Sequence, residues 1–182
     1  PAQLEDSHAV YRWLLEREGM APEHIVMGGE SAGAGLTLST LVSLRDEGLP
    51  LPAGAVLISG WFDLDPRSTS MQFNSHYDFV TRLGVRTMAK RFAPRDEHRN
   101  PLVSPVHAEL AGLPPLLVQV GAAESLLDDS LRVAERARSE GVDVTLEVWP
   151  DMIHAWHVFA PMLEEGRKAI DRIGVFVTDK TR

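Results

Sequence analysis

His24-Ile25-Val26-Met27-Gly28-Gly29-Glu30-Ser31-Ala32-Gly33-Ala34-Gly35-Leu36 is a short apolar run that ends in glycines, a lone serine and the start of a helix-compatible run reaching Leu44. It contains G-x-S-x-G between a strand pattern and a helix pattern, the context in which that motif is a nucleophile elbow. A serine at such a turn carries an exposed hydroxyl on a strained backbone, and residues two positions to either side must be small where strand and helix approach each other. The helix that follows points free N–H groups and a positive dipole end at developing negative charge. The bare pattern arises by chance in roughly one chain in twenty of this length. The alternative to a nucleophile is a glycine-rich turn that binds nothing, so the partners downstream decide the matter.

Composition narrows the field. The chain has 182 residues, enough for one domain with a real core. Its 44% apolar and 24% charged content are ordinary for a globular protein. A net charge of −8 argues against nucleic acid and anionic membrane surfaces as main partners. With no cysteine there is neither a disulfide framework nor thiolate chemistry. The seven histidines show no H-E-x-x-H or related metal spacing, so no metal is expected. No apolar run approaches the ~18 residues of a membrane span. The sequence opens Pro1-Ala2-Gln3 and runs straight into a helical pattern, and no signal peptide is visible. A cytoplasmic location is expected, with the proviso that an absent N-terminal part could carry a signal.

Outward from the elbow, residues 3–18 show helical spacing of Leu4, Ala9, Val10, Trp13 and Leu14. Strand patterns fall at 24–29, 53–59, 116–120 and 142–149. Helix patterns fall at 31–47, 82–93, 126–140 and 158–177. Ala55-Val56-Leu57-Ile58 and Leu116-Leu117-Val118-Gln119-Val120 lack alternation, as strands buried on both faces should. Val142, Val144, Leu146 and Val148 alternate. Residues 60–81 read as polar, aromatic and irregular, and 94–114 as a proline-rich connection. Strand and helix alternating four times give an α/β fold, a parallel sheet with helices on both faces.

In such sheets chemistry gathers at the carboxyl ends of the strands. The first strand ends at Ser31, the second at Gly60-Trp61-Phe62-Asp63, the third at Gly121-Ala122-Ala123-Glu124 and the fourth at Pro150-Asp151-Met152-Ile153-His154. His154, in a loop, is the candidate general base, and His157 three residues on reads as a packing histidine already on a helix. The acid must reach the far imidazole nitrogen. Glu124 lies in the loop directly after the third strand, whereas Asp128 and Asp129 lie one turn into a helix, where they suit the helix dipole. Glu124 is preferred and Asp128 stays open. The order serine, acid, histidine is that of the α/β-hydrolases.

Longer stretches carry a resemblance. Gly29-Glu30-Ser31-Ala32-Gly33, Ser59-Gly60-Trp61-Phe62-Asp63-Leu64, Asn100-Pro101-Leu102-Val103-Ser104-Pro105, Leu113 to Gly121, and Asp151-Met152-Ile153-His154-Ala155-Trp156-His157 together resemble the hormone-sensitive-lipase family of bacterial carboxylesterases, within the α/β-hydrolases. The resemblance runs over nearly the whole chain. It implies a serine carboxylesterase acting on short- to medium-chain esters through an acyl-enzyme on Ser31, without cofactor. Two alternatives stand beside that reading. One is amide or carbamate hydrolysis by the same triad, the other a catalytically impaired fragment or ligand-binding relative.

The family's acid opens a D-P-L segment about 30 residues before the histidine, and that slot here reads Glu124-Ser125-Leu126. The resemblance therefore places the acid at Glu124, a departure from the commoner aspartate. Glu30 replaces the usual Asp or Thr beside the serine and is read either as an anchor of the elbow or as a solvated side chain. The family's H-G-G-G, which supplies most of its oxyanion hole, is not found in these residues, so the Ala32 N–H alone is assigned to the hole. The family's first strands and N-terminal cap helices also have no counterpart. The resemblance thus implies that residues 1–182 are the C-terminal part of one catalytic domain. Residues 61–93, with Phe62, Met71, Phe73, Tyr77 and Phe79, would form a cap or substrate-pocket segment. It further implies a homodimer through the last strand, Val142 to Trp149.

Overall fold

The computed structural model describes residues 2–65 and 67–182; Pro66, within the 61–93 segment, and Pro1 lie outside the described residues. Four parallel strands form one sheet in the order β1-β2-β3-β4. They are β1 (Val26–Glu30), β2 (Gly54–Ile58), β3 (Leu116–Gly121) and β4 (Val144–Trp149). The helices are α1 (Ala2–Glu16), α2 (Ala32–Asp46), α3 (Thr69–Phe73), α4 (Arg82–Phe92), α5 (Leu127–Ser139) and α6 (Glu164–Lys180).

Register explains the layering. Ala55 pairs with Leu116 and Leu57 with Val118, so these four side chains share one face. That face packs on Ala34, Leu38, Leu41 and Val42 of α2 and on Val133 and Ala137 of α5. The opposite face meets α6. Phe176 lies against Gly54, and Gln119 Nε2 donates to the Ala169 carbonyl at 3.1 Å. β2 and β3 are buried along almost their whole length, which is why their sequences run apolar without alternation. Outside the sheet, α1 packs on α2 through Tyr11 and Leu44.

Three boundaries differ from the sequence pattern. β1 begins at Val26, because Pro22–His24 form a single 3-10 turn, and continues to Glu30, which pairs with Ile58. Ser31 is therefore the first residue past the sheet. The helical pattern at 158–177 is really two pieces, a 3-10 turn at Trp156–Phe159 and then α6 from Glu164. Leu163 is extended, and the turn folds back so that Gly166 packs on the Ala160 backbone. Glu164 and Glu165 then occupy the first turn, where they suit the helix dipole. His157 accordingly sits on the short turn and not on the helix. Finally, α3 emerges from the irregular 60–81 segment, capped by Ser68 Oγ accepting the Met71 N–H at 3.3 Å. Among the described residues no helix is long and apolar enough to cross a membrane.

Candidate active site

Each strand delivers a loop to the same edge of the sheet. After β1, Ser31 holds φ 56° and ψ −119°, a positive-φ conformation that costs a non-glycine residue on the order of 1–3 kcal/mol. Its hydroxyl makes no capping bond to α2, so it is not committed to the helix it precedes. The main chain is pinned instead: Ser31 N–H donates to the Ile58 carbonyl at 2.9 Å, and the Ser31 carbonyl accepts from Trp61 N–H at 3.0 Å. Gly29 is required here, because a Cβ would overlap the Gly33 carbonyl. The matching expectation for Gly33 does not hold: among the described residues, no atom lies within 4 Å of a Cβ placed there. The close approach comes from the Gly33 main chain toward Gly29. Ala32 opens α2, where first-turn N–H groups lack acceptors within the helix. Glu30 is exposed, as the solvated reading has it.

After β3 comes Glu124, fully buried, and after β4 comes His154, 4% exposed. His154 Nδ1 lies 3.2 Å from Glu124 Oε2. With Nδ1–H donating to the carboxylate, the Nε2 lone pair is left free, the tautomer a general base needs. The other carboxylate oxygen, Oε1, accepts from Ser59 Oγ and from Gly121 N–H, both at 2.7 Å. Three hydrogen bonds thus hold a charge that burial alone would disfavour. Asp128 is elsewhere. Its Oδ2 accepts the Ser70 N–H at 2.9 Å on the first turn of α5. Glu124, and not Asp128, is the carboxylate brought to the imidazole.

Ser59 stands in the sequence only as part of a longer stretch, yet it joins three loops. It follows β2 with φ 49°, bonds Glu124, and accepts the Ala155 N–H at 3.1 Å. Two residues on, Trp61 bonds the elbow. The elbow, the acid loop and the base loop are therefore fastened to the one turn after β2. The signal available in the sequence was a serine immediately past a buried strand.

His157 has a different environment. Its Nε2 is 2.8 Å from Gln119 Oε1, and Gln119 Nε2 donates to Glu147 Oε2 and to the Ala169 carbonyl. That arrangement makes Gln119 Oε1 an acceptor and His157 the donor. Burial lowers the His157 pKa to about 4, so it remains a neutral packing side chain near pH 7. A cavity of about 1010 Å³ opens beside α4 and α5, lined by Arg82, Arg86, Lys90, Asp128 and Arg132; none of Ser31, Glu124 or His154 lines it. Chemistry, not volume, marks the site here.

A family described as alpha/beta hydrolase fold matches residues 1–158, and the chain belongs to that family. It is 44% identical over 182 residues to an acetyl-hydrolase of Streptomyces hygroscopicus, a match spanning 100% of this chain and 60% of the relative. It is 33% identical over 180 residues to an esterase of Acinetobacter venetianus, spanning 98% of this chain and 59% of that protein. Among solved structures, an esterase from the bacterial hormone-sensitive lipase family superposes with a TM-score of 0.96 at 46% identity. Crystals of EstE5 soaked with p-nitrophenyl butyrate superpose with a TM-score of 0.95, also at 46% identity. Both structural matches span 100% of this chain and 61% of the other. The chain thus spans about 60% of the length of the relatives it matches.

Proposed function

We propose that the protein is a serine carboxylesterase. The observation that carries this reading is the buried Glu124–His154 pair, at 3.2 Å, on the same sheet edge as a positive-φ serine whose hydroxyl is left uncapped. Membership in the α/β-hydrolase family and likeness to proteins named esterase and acetyl-hydrolase support it.

His154 takes the proton of Ser31 Oγ as the hydroxyl attacks the ester carbonyl. The oxyanion accepts the Ala32 N–H, together with further N–H donors. The C–O bond breaks, and His154 gives its proton to the departing alkoxide. Water then attacks the acyl-enzyme with His154 again as base, the bond between the acyl carbon and Ser31 Oγ breaks, His154 returns the proton to Ser31 Oγ, and the carboxylic acid leaves. Glu124 holds the imidazole in its tautomer throughout and stabilises the imidazolium.

Residues 61–93 act as the cap of the single domain and border the ester-binding surface. Phe62 is buried in the sheet core and Met71 packs on Val85 and Leu126, whereas Phe73, Tyr77 and Phe79 are exposed. Phe79 meets the His154 ring edge-on, with centroids 5.4 Å apart. Apolar side chains beside the base suit short- to medium-chain acyl groups. Among the described residues β4 ends the sheet order, and its outer edge is where a homodimer would form.

The test is turnover of p-nitrophenyl butyrate by the intact protein and its Ser31→Ala, Glu124→Ala and His154→Ala variants. Loss of about 10³-fold or more in kcat for Ser31→Ala and His154→Ala is expected. Retained turnover in either would overturn the assignment.

A further inference from the structure

The acid loop and the base loop are held from the sheet side by Ser59 and Gly121. They are also held from the cap side, by a residue that no part of the mechanism above uses. Asp78 lies between α3 and α4 and is 6% exposed. Its two oxygens are spent on two different loops. Oδ2 accepts the Ser125 N–H at 2.8 Å, from the residue immediately after Glu124. Oδ1 accepts the N–H of His154 itself at 3.2 Å. Among the described residues no Lys, Arg or His side chain forms an ion pair with it, so these main-chain donors are what hold the buried carboxylate.

We propose that Asp78 is a positioning residue of the hydrolytic site, whose carboxylate sets the spacing between the loop carrying Glu124 and the loop carrying His154. This rests on the reading of Glu124 as acid and His154 as base. The span between two oxygens of one rigid carboxylate is short and fixed, so bridging both N–H groups leaves the loops little room to slide. An amide cannot do the same, since its NH2 would face one of the two backbone donors. Neighbouring bonds from the same segment act in the same sense. Asn74 Nδ2 donates to the Ala122 and Glu124 carbonyls at 3.2 and 2.9 Å, and Ser125 Oγ donates to the Val80 carbonyl at 2.6 Å. Phe79, next in the chain, supports the imidazole ring whose main chain Asp78 holds. The segment over the site is thereby part of the device that aligns it.

The test is a double-mutant cycle on the intact protein, Asp78→Ala, Glu124→Ala and the pair, with p-nitrophenyl butyrate as probe. kcat is expressed per active site, titrated with a fluorophosphonate, so that loss of folded protein does not count as loss of rate. Misalignment of about an ångström predicts a fall of roughly 10–100-fold in kcat for Asp78→Ala with KM changed less than about threefold. In the Glu124→Ala background the further loss should be less than about twofold, since the alignment then has no acid to serve. If Asp78→Ala does not fold, Asp78→Asn, of the same size with one acceptor kept, carries the same measurement with the same expected direction. Glu124→Ala losing activity while the Asp78 variant stays within about twofold of the wild type overturns the role of Asp78 alone. A full Asp78 effect persisting in Glu124→Ala also overturns it. Glu124→Ala with wild-type turnover overturns the acid assignment first, and this role with it.

Discussion

Ser59 Oγ donates a 2.7 Å hydrogen bond to Glu124 Oε1. Ser59 Oγ in turn accepts the Ala155 N–H, one residue past His154, at 3.1 Å. Ser59→Ala therefore removes a bond from a fully buried carboxylate and orphans a buried main-chain donor in one step. A stability loss of about 1–3 kcal/mol is expected from the unmet groups. Because the carboxylate concerned is the one facing His154, kcat should also fall, by about tenfold or more at nearly constant KM. Urea unfolding and steady-state kinetics on one preparation check both. A variant that loses stability with kcat unchanged would make Ser59 a structural residue only.

The order of elements was readable because buried parallel strands and amphipathic helices leave different periods. β2, β3, α2 and α5 fall within a residue or two of their patterns. The placing of Ser31, Glu124 and His154 at one edge was readable because a parallel sheet sends its strand ends to one edge. What was hidden depends on partners far away in sequence. Asp78 and Asn74 lie in a segment with no period, and their meaning comes from loops about 50 and 75 residues downstream. The split at Trp156–Phe159 was hidden too, because it follows from Gly166 meeting Ala160 and not from local propensity.

Close backbone approach gives a second prediction, with opposite signs for one kind of substitution. A Cβ on Gly121 would overlap the Met152 carbonyl, in the loop that carries His154, and a Cβ on Gly29 would overlap the elbow. In both, the obstacle is main chain and cannot swing aside. Gly29→Ala and Gly121→Ala should each lose about 1–3 kcal/mol or more, together with most activity. Gly174, inside α6, meets nothing within 4 Å among the described residues. There alanine should instead add about 0.5–1 kcal/mol through helix propensity. Denaturation midpoints of the three variants side by side decide it. Equal losses at Gly174 and Gly121 would refute the distinction.

Asp129 gives the third prediction, in pH. It is almost fully buried, and its Oδ2 accepts the N–H groups of Phe62 and Asp63 at 3.1 and 2.9 Å, tying the turn after β2 to α5. Burial first, and the Asp63 carboxylate second, push its pKa up to about 7, against the pull of the two N–H groups and Arg132. Asp63 is itself paired with Arg132 at 2.8 Å, with His107 at 3.9 Å. A carboxyl in the unfolded chain titrates near 4. Between about 4 and about 7 the folded state therefore binds more protons than the unfolded one, and this group's contribution is full below about 4 and is lost as pH rises toward 7. The neutral amide of an Asp129→Asn variant would have no such loss, so the stability of that variant relative to wild type should climb over that window, by at most about 4 kcal/mol. His157, its pKa lowered to about 4 by burial, works in the opposite direction: it stabilises the fold as pH rises from about 4 to its ordinary value. That contribution is common to both proteins and cancels in the difference. Urea unfolding of wild type and Asp129→Asn at pH 5 and pH 7.5 reads it directly. A difference that is the same at the two pH values would mean that Asp129 stays ionised in the fold throughout.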